Sequence, residues 1–176
     1  MKKLLLITFI LGIFFQLSAQ KNRIVPVDYI DPLMGTTFAR WMLFPGVTMP
    51  FGMVKLSPDN QRKGWKAGYE YKIDNITGFS HLHSWTMGGL LTMPATGPLK
   101  IIPGTETNPD LGYRSRFSHR NEVARAGYYQ VFLEDYNINA ELTSTTRAGF
   151  QRYTFPKAKD ARIIIDLKIS TEYSYE

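Results

Sequence analysis

An all-β fold, an antiparallel β-sandwich with little helix, is what this sequence predicts, and three observations predict it. After residue 19 no window sustains apolar residues at i, i+3, i+4 and i+7 over three turns, so no long helix is expected. Apolar and polar residues instead alternate with a period of two in several short runs, as strands with one buried face require. Glycine, proline, asparagine and aspartate punctuate those runs, and many short strands separated by turn residues describe a sandwich or barrel. The aromatic content of 14%, with ten tyrosines, also suits sheet surfaces better than a helical bundle.

Taken in order, residues 1–19 read as an export signal. Lys2 and Lys3 supply the positive start, residues 4–15 the apolar run, and Leu17-Ser18-Ala19 the small-residue cleavage site before Gln20. A membrane helix needs roughly 20 apolar residues, and this run is shorter. No membrane span is therefore expected after signal removal, and the protein is expected to be exported, periplasmic or extracellular. Residues 20–176 then form one β-sandwich domain. In residues 31–59, Pro32, Pro45, Pro50, Pro58, Gly35, Gly46 and Gly52 stand among large apolar side chains. That mixture predicts an irregular loop held by packing of Trp41, Phe44 and Phe51. Tyr69, Tyr71 and Ile73 alternate with polar neighbours like a strand. Asn75-Ile76-Thr77 fits a glycosylation acceptor but reads more readily as a turn. Residues 97–102 form an apolar stretch stopped by Pro103-Gly104. Tyr129, Val131 and Leu133 share one face of a strand whose other face carries Tyr128, Gln130 and Phe132. Asp135-Tyr136-Asn137 turns into residues 138–145, Arg147-Ala148-Gly149 turns into 150–155, and Pro156 stops that strand. Residues 161–167, centred on Ile163-Ile164-Ile165, read as a strand buried on both faces. Residues 170–176 add no closing turn or cap, so the domain is expected to be incomplete at its C-terminus, with a bare edge.

Composition narrows the function classes. Lys2 and Lys3 account for two of the formal +6 charges, and the remaining basic residues are scattered among acids. No stripe suited to a phosphate backbone is present, which excludes nucleic acid as a partner. The absence of cysteine removes a disulfide framework and a lipid-anchored cysteine.

The densest chemistry lies in residues 78–93, which hold two of the three histidines and one of the three tryptophans. His81 and His83 are two apart, so on an extended strand both rings share a face, which Trp85 continues. Switchable hydrogen-bonders beside a flat apolar ring suit a polar ring-shaped ligand such as a sugar. The same histidines also fit a structural role supporting the loop, or a zinc site completed by His119 or a carboxylate. Trp65 and Trp85 are candidates for stacking on a sugar face or for packing, and Trp41 is assigned to packing. Asp59, Glu70, Asp74, Glu106 and Asp110 form no paired constellation. They read as solvated or turn carboxylates, so no catalytic residue and no metal ligand is assigned.

A family resemblance rests on several motifs in one order. These are residues 28–36 (Asp-Tyr-Ile-Asp-Pro-Leu-Met-Gly-Thr), Phe44-Pro45-Gly46 through Leu56-Ser57-Pro58-Asp59, Gly78-Phe79-Ser80-His81-Leu82-His83 and Met93-Pro94-Ala95-Thr96-Gly97. Glu141-Leu142-Thr143 and Arg147-Ala148-Gly149-Phe150-Gln151-Arg152-Tyr153 extend them. The chain resembles the amino-terminal domain of glycoside hydrolase family 92, exo-acting alpha-mannosidases. The resemblance implies an incomplete supersandwich domain ahead of an alpha/alpha barrel, in cis or as a separate chain. It also implies calcium-dependent, inverting hydrolysis of an alpha-linked mannoside or related glycan, with both catalytic carboxyls and the calcium ligands in the barrel rather than here. Trp65, His81, His83 and Trp85 are the expected substrate contacts. The family's small-residue loop after the paired histidines is replaced by Ser84-Trp85-Thr86-Met87-Gly88-Gly89, leaving the sugar open. Alone, the chain is expected to hydrolyse nothing. The alternatives are an autonomous carbohydrate-binding module and a non-functional remnant.

Overall fold

The computed structural model describes residues 25–37, 43–60, 68–83 and 87–168, the side chains of Met87 and Gly88 excepted. The export signal, Trp41, Trp65 and Trp85 lie outside the described residues. The strands are β1 (Val47–Thr48), β2 (Lys55–Asp59), β3 (Asn75–Ile76), β4 (Gly78–Ser80), β5 (Leu82–His83), β6 (Met87–Gly88), β7 (Leu91–Ala95), β8 (Ser115–Arg116), β9 (Glu122–Arg125), β10 (Tyr128–Leu133), β11 (Ile138–Ser144), β12 (Gly149–Thr154) and β13 (Arg162–Asp166). Single 3-10 turns occur at Pro26–Tyr29, Pro109–Leu111 and His119–Asn121, and there is no α-helix among the described residues. The all-β prediction holds.

Two antiparallel sheets carry the core, one ordered β1-β2-β4-β7-β13 and the other β12-β11-β10-β9. The period-two pattern fixes which sides meet. Tyr129, Val131 and Leu133 of β10 pair with Leu142, Ala140 and Ile138 of β11, and all six are buried. Gln151 and Tyr153 of β12 continue that face opposite Leu142 and Ala140. In the other sheet the register Pro58↔Phe79, Phe79↔Thr92 and Thr92↔Ile165 places those four residues on one face. The faces meet where the Phe79 ring lies 5.9 Å from that of Tyr153 and Thr92 donates to Gln151 Oε1 at 2.7 Å. Burial of each large apolar side chain in this layer contributes about 1.5–3 kcal/mol. Gly46 lets β1 close on β2, since a Cβ there would lie 2.1 Å from the Leu56 carbonyl oxygen.

The strands predicted at 128–133, 138–145 and 150–155 are present within a residue or two, and Asn137 takes the left-handed conformation (φ 53°) that turns β10 into β11. Several other expectations fail for physical reasons. Residues 69–73 form a turn, closed by Ile73 N–H donating to the Glu70 carbonyl at 3.1 Å; Tyr69 is apolar-periodic because it is buried, not because it joins a ladder. Residues 97–102 are not a strand, and Leu99, Ile101 and Ile102 are exposed. Asn75-Ile76 is a buried strand rather than a turn, its amide held by Arg114 and the Glu106 carbonyl. Phe51 is fully exposed and packs nothing. The prolines concealed two core strands. Pro58 and Pro94 sit where β1 and β4, respectively, no longer pair alongside, so the missing N–H breaks no ladder bond on that edge.

β13 is not buried on both faces. Ile164 packs on the core opposite Met93, but Ile163 and Ile165 are half exposed because, among the described residues, β13 is the last strand of its sheet and the facing sheet ends at β12, over β7. Replacing both by threonine is expected to keep the fold, within about 1 kcal/mol of wild-type stability, while reducing self-association at high concentration by light scattering. A loss of folding would mean that this face is covered.

Candidate functional site

β2 and β5 build the centre of the chemistry-rich stretch. His83 is fully buried: its Nδ1–H donates to the Lys55 carbonyl at 2.7 Å, and its Nε2 lies 2.8 Å from Asp59 Oδ1. A carbonyl can only accept, so the Nδ1 proton is fixed, and the His83–Asp59 pair holds one further proton between its facing atoms. The Phe44 ring lies 5.1 Å from the imidazole. Asp59 is not the solvated carboxylate expected from sequence; it is 1% exposed. Glu70 is likewise buried.

The bond also joins two chain segments. Asp59 is followed by Asn60, whose N–H donates to the Gly68 carbonyl at 2.7 Å, and whose amide side chain binds the Glu70 main chain and the Ile73 carbonyl. Arg114 braces the Asn60 carbonyl at 2.8 Å. The described residues that flank the Trp65 segment, Asn60 and Gly68, are therefore pinned to each other and to the sandwich. The segment carrying Trp85 begins directly after His83. The Asp59–His83 pair thus ties the roots of both tryptophan-bearing segments.

His81 goes elsewhere. A bend at His81 interrupts the alternation, and its ring lies against β12 rather than on the face of β2 that holds His83. Its Nε2 is 3.5 Å from Gln151 Nε2, and Gly149 makes the approach possible, since a Cβ there would meet Cδ2 at 2.8 Å. Burial and the neighbouring His83 pull its pKa below the ordinary imidazole value, with the Leu90 main chain acting in the opposite direction. The predicted shared face of the two histidines is thereby corrected.

Sequence reasoning missed a third centre. The buried Glu122 carboxylate accepts from Tyr69 at 2.8 Å and Tyr129 at 2.6 Å through Oε1, and its Oε2 faces His119 Nδ1 at 2.5 Å. His119 Nε2–H donates to the Tyr71 carbonyl at 2.8 Å while the ring stacks on Tyr71 at 3.9 Å. Burial, then the nearby carboxylate, raises both phenol pKa values far above the usual range, so both hydroxyls remain donors. The available signal was the His119/Glu122 spacing across a 3-10 turn, which brings the two side chains together. Among the described residues no group of three or more histidine or acidic side chains is arranged to hold a metal ion.

Residues 29–175 match the glycosyl hydrolase family 92 N-terminal domain. The chain belongs to this family. A family 92 alpha-mannosidase from Bacteroides thetaiotaomicron, solved with mannoimidazole, is 39% identical with a TM-score of 0.77 over 84% of this chain and 20% of its own. A family 92 inverting mannosidase from the same organism is 30% identical with a TM-score of 0.63, over 80% and 19% of the respective chains. An uncharacterized secreted glycosidase of Arthroderma benhamiae is 30% identical over 155 residues, 83% of this chain and 19% of its own. The chain therefore spans about a fifth of the length of these family 92 relatives. The secreted relative agrees with the export predicted from residues 1–19, and no described helix is long and apolar enough to cross a membrane.

Proposed function

We propose that this family 92 chain supplies the substrate-positioning and inter-domain docking part of an exported, calcium-dependent, inverting alpha-mannosidase, and that alone it is inactive. The observation carrying this reading is the match to the family's amino-terminal domain, with the chain covering only 20% of the alpha-mannosidase it resembles. The chemistry supports it. Inversion needs one free carboxylic acid and one free carboxylate about 6.5–9.5 Å apart, whereas the buried Asp59 and Glu122 are bound by histidine and tyrosine donors. The described side chains do not fit calcium, so no step of this chain is routed through it. Calcium and the proton chemistry belong to an alpha/alpha barrel, in cis or as a separate chain, in the periplasm or outside the cell. On this chain Trp65 and Trp85 provide stacking surfaces and His81 a hydroxyl contact. His83 acts through Asp59, since both of its nitrogens are engaged inside the protein.

The purified chain is expected to release no sugar from alpha-mannosides; release would overturn the assignment. Calorimetric titration with methyl alpha-mannoside separates the positioning role from an autonomous carbohydrate-binding module. Binding tighter than about 1 mM, abolished by Trp65→Ala, favours the module. Heat appearing only when a barrel is supplied favours the half-site.

A further inference from the structure

β13 carries a sequence that complements itself. Its five residues, Arg-Ile-Ile-Ile-Asp, run from Arg162 to Asp166 with no proline or lysine, and among the described residues no strand lies on the side away from β7. The opposite edge of the same sheet, β1, is only two residues long, a short edge that gives little to pair with. Period two puts Arg162, Ile164 and Asp166 on one face of β13 and Ile163 and Ile165 on the other. Across β7, Arg162 stands opposite Ala95 and Asp166 opposite Leu91, neither of them charged. Contacts within the chain hold both charges on the Ile164 face, Arg162 Nη1 donating to the Gly97 carbonyl and the Tyr113 hydroxyl donating to Asp166 Oδ2.

An antiparallel partner related by a two-fold axis through Ile164 sets Arg162 opposite Asp166 of the second copy, and Ile163 opposite its Ile165. One face then pairs opposite charges while the other pairs half-exposed isoleucines. The register is selected. A slip of one residue exchanges the faces, and a slip of two brings Asp166 toward Asp160 or Arg162 toward Lys168, like charge against like. We propose that β13 is a dimerisation edge, pairing antiparallel with β13 of a second copy about Ile164 and so continuing the sheet β1-β2-β4-β7-β13 through the two-fold axis. A five-residue edge falls short of the about 1,000 Å² of a stable interface, so the dimer is weak and concentration-dependent. The pairing is independent of the mannosidase reading, since β13 carries none of the substrate contacts assigned there.

Sedimentation velocity of the purified chain over a range of concentrations tests the edge, with two variants that substitute the same half-exposed positions. Ile163→Lys/Ile165→Lys places lysine opposite lysine at both cross-strand pairs and should weaken the dimer about tenfold or more. Ile163→Lys/Ile165→Glu places lysine opposite glutamate and should keep the dimer within about threefold of wild type. A wild-type chain that stays monomeric at every concentration overturns the proposal. Two equally dimeric variants would put the contact on another surface, and two equally monomeric ones would make it unspecific association of isoleucines; either result overturns the register. If a variant does not fold, hydrogen exchange of the wild type decides: protection of the amides of residues 162–166 should rise with protein concentration, and unchanged protection overturns the pairing.

Discussion

Glu122→Leu should lower the stability of the folded chain by about 3–5 kcal/mol, read as a fall in the urea midpoint at unchanged slope. The carboxylate is the common acceptor for Tyr69, Tyr129 and His119. Both phenols are fully buried, so leucine leaves two hydroxyls without water or protein to receive them. The imidazole loses one of its two acceptors and keeps the Tyr71 carbonyl. Against a total stability of about 5–15 kcal/mol, such a loss brings the midpoint close to the unfolding limit, and melting should fall by roughly 10 °C. Glu122→Gln is the control that separates hydrogen bonding from packing, since its amide oxygen can still receive both phenols and only the bond to His119 is reversed in sense. It should cost less than half as much. Equal losses for Gln and Leu would mean that the tyrosines do not depend on this acceptor.

The contrast between Glu122 and the sheets marks how much the sequence made legible. β10, β11 and β12 were readable because each buries one face of an alternating pattern, and the pattern survives in the burial of Tyr129, Val131, Leu133, Ile138, Ala140 and Leu142. β2 and β7 were hidden by Pro58 and Pro94, whose tolerance depends on where a neighbouring strand stops, a fact of topology. The site divided in the same way. Residue type identified His81 and His83 as the dense chemistry, but a single bend sent them to different layers. Asp59 looked like any isolated turn acid because its partner lies 24 residues away. The burial that makes a carboxylate consequential is a tertiary property.

That distant pairing makes Asp59 the residue with the second large expected effect. Asp59→Ala should cost about 3 kcal/mol or more, because the fully buried His83 ring is left with Nε2 facing no partner. Replacing both members by apolar residues removes the unpaired ring nitrogen along with its partner, so Asp59→Ala/His83→Leu should be no less stable than Asp59→Ala alone. The coupling from the double-mutant cycle is expected at about 2–3 kcal/mol; a value near zero would mean that the pair is a packing neighbour and not a bonded unit. Asp59→Asn retains an amide N–H able to donate to Nε2, which reverses the sense of the bond while Nδ1–H stays on the Lys55 carbonyl, and should recover about half of the loss. The same variants probe function, because the pair ties the roots of the segments bearing Trp65 and Trp85. If those tryptophans act together on one glycan, a folded Asp59→Asn protein should lose mannoside affinity about tenfold in the assembled enzyme, and Trp65→Ala in that background should add little. Full additivity of Asp59→Asn and Trp65→Ala would instead mean that the pair stabilises the sandwich without setting the geometry of the sugar contact.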